Sequence, residues 1–471
     1  LTPVHCSLAA TLPMPLNSPL DATVTPSPVA LSSAPEIDYY QYTAGRRRKA
    51  AVVLVAVWGL TAALHLSLWG APIVWAIALG LGIHFLRLMG AHRHAEVVAL
   101  PSDRQDWPQV SLLVAAKNEA EVIERLVHNL CSLDYPSDRL EVWVIDDAST
   151  DATPDRLAEL QSHYPQLRVH QRQAGAPGGK SGALNEVWPQ TQGEFIAVFD
   201  ADAQAPVDLL QQVLPRFQQP QLGAVQVRKA IANSGTNFWT RGQTVEMMLD
   251  AYLQQQRVAI GGIGELRGNG QFIRRAALER CGGFNEETIT DDLDLAFRLH
   301  LDHWWIDCCI HPAVQEEGVV RSLALWHQRR RWAEGGYQRY LDYWPWLVRN
   351  RLGPQRSVDL AIFWLTQYIL PTAAIPDLAL ALILKRSPLY GPLAGLTVGL
   401  TLISLLRGIR QARSHEARNP LPIGQSLLGV IYMLHWIPVM AYTTMRMAFW
   451  PKQLRWVKTV HVGETHSAPV A

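Results

Sequence analysis

The chain has 471 residues, too many for one compact domain, so two or three units are expected. Its 42 Lys and Arg balance 41 Asp and Glu to a net charge of +1, which removes the global positive field a nucleic-acid binder relies on. Five cysteines (Cys6, Cys131, Cys281, Cys308, Cys309) show no metal-ligand spacing and an odd count, and 16 histidines form no His-Glu-x-x-His cluster, which argues against a disulfide framework and against zinc hydrolysis.

Residues 1–45 read as a disordered tail. Leu1 to about Pro35 is rich in Pro, Ser, Thr and Ala and holds one charge, Asp21. It has neither the basic start and apolar core of a secretory signal nor the arginines of a transit peptide. Arg46-Arg47-Arg48-Lys49 then leads into an apolar run from Ala50 to Leu68, and after a break at Gly70-Ala71-Pro72 a second run extends from Ile73 to Met89. Each is near the roughly 20 residues that cross a bilayer, so residues 50–89 are expected to form a transmembrane hairpin, with a buried soluble hairpin as the alternative. Trp58, Trp69 and Trp75 suit membrane interfaces. Arg87, His92 and Arg93 follow the second run, so basic residues bracket the pair and place both its ends, and the domain beyond it, in the cytoplasm.

Residues 108–325 alternate apolar strands with helices. Val110–Ala116 and Glu141–Ile145 read as buried strands, Leu167–Gln171 as a weaker one and Phe195–Phe199 as another; Glu119–Leu130 reads as an amphipathic helix and Gly178 opens a second. This pattern predicts an α/β fold with a largely parallel sheet covered on both faces. Residues 326–350 are basic and aromatic, with Tyr337, Tyr340, Tyr343, Trp344 and Trp346, and suit an amphipathic collar in the headgroup region. Residues 358–450 hold two to three further spans, the first kinked by Pro371 and Pro376. Lys385 and Arg386 leave four and five spans both open, and 451–471 is a polar tail.

Six groups of residues carry candidate chemistry, and two of them follow strands at the carboxyl ends, where an α/β sheet binds ligands. Asp200 and Asp202 follow the Phe195 strand, and extended alternation would point both carboxylates one way, with Ala201 opposite. Two hard oxygen ligands suit Mg²⁺, or Mn²⁺, carrying a diphosphate; an aspartate-capped turn is the plain alternative. Asp146, Asp147 and Asp151 end another strand and can accept from a ribose hydroxyl or base N–H, while Ser149, Thr150 or Asp151 could equally cap the next helix. Lys180 in Gly178-Gly179-Lys180-Ser181-Gly182 can meet a phosphate at a helix start, although the loop lacks the glycine spacing of a P-loop ATPase, and a solvated lysine is an even alternative. Glycines around Arg267 permit close backbone approach or simply turns. Asp291, Asp292 and Asp294 open a helix, where one carboxylate aimed at a cleft would serve as a general base. Gln328, Arg331 and Trp332 offer a guanidinium for a diphosphate and an indole wall, whereas Arg329 and Arg330 fit the membrane collar.

Taken in series, these groups resemble the membrane-bound family-two glycosyltransferases, over about Val110 to Trp332. The resemblance implies a Rossmann-like GT-A domain flanked by transmembrane helices. It makes Asp147 a uracil or ribose contact supported by Asp146. Asp200 and Asp202 become an Asp-x-Asp motif, with Asp202 most directly on metal and diphosphate. Asp292 becomes the catalytic base, and Gln328, Arg331 and Trp332 become the Gln-x-x-Arg-Trp motif holding the diphosphate. Two positions depart from the family pattern: Asp291, where Glu is usual, and Ala116-Lys117, where Tyr is common before Asn118-Glu119. A closer resemblance, to the members that glucosylate diacylglycerol, rests on Asp38–Arg48, Gly261–Asp294 and Trp326–Tyr343. It implies UDP-glucose as donor, Mg²⁺ as cofactor and 1,2-diacylglycerol as lipid acceptor. A processive polysaccharide synthase using a UDP-sugar and a non-catalytic membrane scaffold are the rival readings.

Overall fold

The computed structural model describes residues 37–91, 99–412 and 422–450, so most of the first tail, His92, Arg93 and residues 451–471 lie outside the described residues. The chain divides into Leu1–Tyr39 and Tyr40–Ala471, and every described helix and strand belongs to the second unit.

Two long apolar helices come first, α1 (Arg46–Leu66) and α2 (Gly70–Gly90). The chain turns between them at Ser67–Trp69, and Gly70-Ala71-Pro72 belongs to the first turn of α2 rather than to the break expected from the sequence. Proline is tolerated there because a first-turn N–H has no helical partner to lose. A Cβ on Gly70 would collide with the Leu64 carbonyl oxygen, so this tight hairpin needs glycine.

Seven strands then form one sheet: β1 (Val110–Ala116), β2 (Leu140–Asp146), β3 (Leu167–Gln171), β4 (Phe195–Phe199), β5 (Leu222–Ile231), β6 (Gln271–Arg274) and β7 (Trp305–Glu316). Their order is β3-β2-β1-β4-β6-β5-β7, with β6 antiparallel to both neighbours and every other pair parallel. The helices of this domain are α3 (Ile123–Cys131), α4 (Thr153–His163), α5 (Gly179–Val187), α6 (Leu209–Val213), α7 (Phe238–Ala259), α8 (Arg275–Arg280) and α9 (Asp291–Leu301). On β1, Leu112 and Val114 pack with α3 through Ile123, Leu126 and Leu130, while Leu113 faces Leu184 and Val187 of α5. Continuous apolar strands are what a sheet buried on both faces requires.

The chain continues as α10 (Ser322–Val348), α11 (Pro354–Trp364), a π-helical turn (Leu365–Ile369), α12 (Leu370–Leu384), α13 (Gly391–Ala412), α14 (Pro422–Met433) and α15 (Trp436–Phe449). Among the described residues five helices are long and apolar enough to cross a membrane: Arg46–Leu66, Gly70–Gly90, Pro354–Leu384, Gly391–Ala412 and Gly424–Phe449. Helix α7 joins them to the sheet, with Val245, Met248 and Leu249 packed on Leu405 and Ile409 of α13.

The aromatic series on α10 differs from the expected collar. Tyr337, Tyr340 and Tyr343 are buried, and only Trp344 of the group is open, at 48 % exposure. Tyr343 donates to Asp294 (2.8 Å), and the Tyr337 and Tyr340 rings stack on Tyr368 and Trp364. A strip of tyrosines read as lying in headgroups is instead the mortar between sheet domain and apolar helices.

Beneath the same helix lies Glu265, 0 % exposed. It pairs with Arg339 of α10 (2.6 Å), Arg267 (2.9 Å) and Arg257 of α7 (3.5 Å), and Arg257 also pairs with Asp359 of α11 (2.9 Å). Burial opposes its charge, but the three guanidiniums outweigh burial and hold its pKa below the usual carboxylate value. Removing one member of such a group leaves buried charge uncompensated. Glu265→Gln is therefore expected to destabilise the fold by about 3–5 kcal/mol. Thermal inactivation of the detergent-solubilised protein measures this, and an unshifted midpoint would contradict it.

Candidate active site

Parallel register sets the rim. Ala116 lies opposite Asp146, and Val114 opposite Phe199, so β1, β2 and β4 end together and Asp146, Asp147, Asp200 and Asp202 leave the sheet at one edge. A cavity of about 670 Å³ opens there, lined by Lys180, Asp200, Asp202, Asp292, Arg331 and Trp332. Gln328 lines it too, while Asp146 and Asp147 do not.

Asp200 and Asp202 reach the cavity by a turn rather than by strand alternation. The Ala203 N–H donates to the Asp200 carbonyl (3.0 Å), and Ala201 faces the cavity beside them. The strand ends at Phe199 because the chain closes on itself at once. Asp202 is buried, and its Oδ2 accepts from the Glu317 N–H (2.8 Å). Asp200 is more open and receives the Lys180 ammonium (2.5 Å). Burial works against the charge on Lys180, but Asp200 and Asp291 overcome it and raise its pKa. The lysine is thus a fixed cation at the start of α5, not a solvated one. The loop before it needs Gly178, whose φ is +84° and whose Cβ would collide with the Glu286 carboxylate.

Asp292 stands in the first turn of α9, with Oδ1 accepting its neighbour Leu293 N–H (2.8 Å). Burial, and then Asp291, push its pKa up to about 6. Asp294 is no part of the cavity. It is buried against Arg298 (2.8 Å), Asn285 (2.9 Å) and Tyr343. Gly268, at φ +83°, is the point where the two acidic groups converge: a Cβ there would lie 3.4 Å from Asp292 Oδ2 and 4.0 Å from Asp200 Oδ2. Gly261, Gly262 and Gly264 do not line the cavity; Gly264 sits against the Ile306 carbonyl.

On α10, Gln328, Arg331 and Trp332 line one wall of the cavity. Gln328 Oε1 is buried without a hydrogen-bond partner among the described residues. Burial lowers the Arg331 pKa, with Asp200 and Asp292 pulling the other way, so its charge is directed at the acidic rim. Arg329 departs from expectation: it is fully buried, bonded to Glu246 (2.6 Å), and not part of a surface collar. Its guanidinium lies 4.0 Å from the Trp332 ring centre, and Lys229 of β5 lies 4.9 Å from it.

Asp147 is clamped rather than open. Arg172 donates to its Oδ1 (2.5 Å) and Lys117 to its Oδ2 (3.1 Å). Asp146 Oδ1 accepts from the Ser149 N–H (3.2 Å). The polar residues after them hold the β1 loop: Ser149 accepts the Asn118 N–H (2.8 Å), and Asn118 accepts the Thr150 N–H (2.7 Å). Asp151 accepts from Thr153 and from the Ala120 N–H, so its side chain braces two loops.

Arg172 and Lys229 receive no role from the sequence, and Lys117 is marked there only as a departure from the family pattern. The visible signal at Lys229 is the charged pair Arg228-Lys229 inside a buried strand. Among the described residues no three His, Cys, Asp or Glu side chains gather into a metal cage. The two hard carboxylates beside Lys180 instead fit a cation whose remaining ligands come from water and a bound phosphate.

Residues 108–335 match the model described as glycosyltransferase like family 2. The chain is 58 % identical over 424 residues to a beta-monoglucosyldiacylglycerol synthase from Nostoc sp., covering 89 % of this chain and 90 % of the relative. It is 53 % identical over 438 residues to the synthase of that name from Synechocystis sp., covering 92 % and 91 %. Among solved structures, a mannosyltransferase from Pyrobaculum calidifontis in complex with GDP-Man and Mn²⁺ superposes with a TM-score of 0.50 at 22 % identity, covering 84 % of this chain and 100 % of that one. The fold is thus a mixed GT-A-like α/β sheet flanked by long apolar helices.

Proposed function

This chain belongs to glycosyltransferase family 2, and on that premise we propose that it transfers glucose from UDP-glucose to the free hydroxyl of 1,2-diacylglycerol, giving β-monoglucosyldiacylglycerol. The observation that carries the acceptor is the shape of the cavity. It runs from Asp200 and Asp292 to Leu81 and Phe85 of α2, Ile362 of α11 and Leu400 of α13. A nucleotide sugar fits its charged end, and a lipid reaches it from the apolar helices.

In the reaction, Asp292 takes the proton of the acceptor hydroxyl as that oxygen bonds to the anomeric carbon. The bond from that carbon to the diphosphate oxygen breaks, and UDP leaves from the opposite face. An α-linked donor therefore gives a β-glucoside, with positive charge developing on the sugar as in other glycosyl transfers. Arg331 and Lys180 face the negative charge that grows on UDP. Trp332, held between Arg329 and Lys229, walls the space between donor and acceptor. Asp202 and Asp200 would hold Mg²⁺ or Mn²⁺, which supplies charge neutralisation at the diphosphate. Asp147, with Asp146 behind it, is assigned to the uridine end, beyond the cavity's lining, its carboxylate oriented by Arg172 and Lys117. The five apolar helices cross the membrane, and the basic residues Arg46–Lys49 and Arg87 favour the cytoplasmic side for the catalytic domain.

The test supplies detergent-solubilised protein with labelled UDP-glucose, diacylglycerol and Mg²⁺. One discrete glycolipid is expected, with the large anomeric proton coupling of a β-glucoside. Label in a polymer would move the assignment to a polysaccharide synthase, and no transfer at all would remove the lipid acceptor.

A further inference from the structure

The cavity is too small for everything the reaction brings together. Pockets that enclose one drug-sized ligand run to roughly 300–1,000 Å³, and this one is about 670 Å³. A nucleotide sugar at the rim fills much of that. Two full acyl chains cannot follow the glycerol inside, so they must leave sideways into the bilayer, and only the ester region of the acceptor lies within reach of the wall.

The part of the wall built by the apolar helices carries one unusual feature. The third apolar helix widens into the π-helical turn Leu365–Ile369, just before Pro371. In an α-helix the N–H of residue 371 would bond the carbonyl of Gln367; proline has none to give, and the turn opens there. Gln367 is exposed within this apolar segment, lines the cavity, and makes no side-chain hydrogen bond among the described residues. Two of the hydroxyls on this wall are already used: Thr366 donates to the Ile362 carbonyl (3.0 Å) and Thr397 to that of Leu393 (2.8 Å). A polar side chain kept in an apolar span and facing a cavity is placed for a ligand.

We propose that Gln367 is an acceptor-specificity residue, its amide N–H donating to an ester carbonyl of the glycerolipid whose hydroxyl is presented to Asp292. The chemistry matches: an ester carbonyl accepts only, and a glutamine amide offers two N–H donors. The inference rests on the lipid-acceptor reading and adds the group that is read. An acceptor with ether-linked chains keeps the hydroxyl and the tails but loses the carbonyl.

The experiment compares dioleoylglycerol with its dialkyl ether analogue, in wild-type protein and in Gln367→Leu and Gln367→Met. Both variants place an apolar side chain in an apolar helix, so the fold is kept. The readout is the ratio of kcat/KM for diester over diether. The wild-type ratio is expected to be about tenfold, the size of one net hydrogen bond. It falls to about one in both variants through a higher KM for the diester, with the KM for UDP-glucose unmoved. A wild-type ratio of one overturns the proposal, and so does a ratio that stays high in the variants, including a loss of both activities alike. Glucosylation of neither lipid by the wild type would instead overturn the lipid-acceptor reading, and this site with it.

Discussion

Asp292→Asn is expected to lower kcat by about 10²–10⁴-fold while UDP-glucose still binds. The amide keeps the size of the side chain and an oxygen for the Leu293 N–H, so the start of α9 is preserved. What it loses is the proton acceptor. Its pKa of about 6 also gives this residue a signature of its own. A base acts deprotonated, so kcat/KM in the wild type should rise with pH through about 6 and level off above it. Burial disfavours the charged form, and Asp291 disfavours it further. Asp291→Asn should therefore move the limb to lower pH, while Asp292→Asn should abolish it. Retention of near-normal turnover by Asp292→Asn, or a limb that survives in it, would sink the assignment. Asp294 offers no substitute, because its oxygens are committed to Arg298, Asn285 and Tyr343.

Much of this arrangement is legible in the sequence. Strands such as Val110–Ala116 and Phe195–Phe199 are read from apolar runs because a doubly covered sheet has nothing polar to alternate with. Acidic residues directly after such runs fall on the ligand-binding rim for topological reasons, whatever their individual roles. What stays hidden depends on partners remote in sequence. Three consecutive arginines look alike in a string, yet Arg329 meets Glu246 of α7 and is fully buried, whereas Arg331 faces the cavity. Asp147 reads as an open carboxylate because Arg172, 25 residues away, cannot be paired with it without the fold. The tyrosines of α10 show an aromatic periodicity that serves a membrane surface or a helix interface equally well. The π turn follows from a visible proline, but its consequence for Gln367 depends on which helices surround it.

The second large effect is expected at Asp202. Asp202→Asn should reduce turnover by at least about 10²–10³-fold, the scale for removing one preorganised group from a developing charge. The substitution is a clean one. Asn keeps an oxygen for the Glu317 N–H, so the turn after β4 holds, and only the negative charge disappears. Asp200 is the natural competitor for this role, yet it is more open and already holds the Lys180 ammonium at 2.5 Å, whereas Asp202 is buried at the cavity wall. Burying a carboxylate costs free energy, and a divalent cation arriving with the diphosphate offsets that cost most where the carboxylate is most buried. Binding of UDP measured by calorimetry separates charge from shape. In the wild type Mg²⁺ should tighten UDP markedly, and chelation should weaken it. In Asp202→Asn that difference should vanish, leaving the weak affinity contributed by Lys180 and Arg331. A variant that still binds UDP more tightly with Mg²⁺ would move the cation to other ligands, and one with unchanged turnover would make Asp202 a turn residue only.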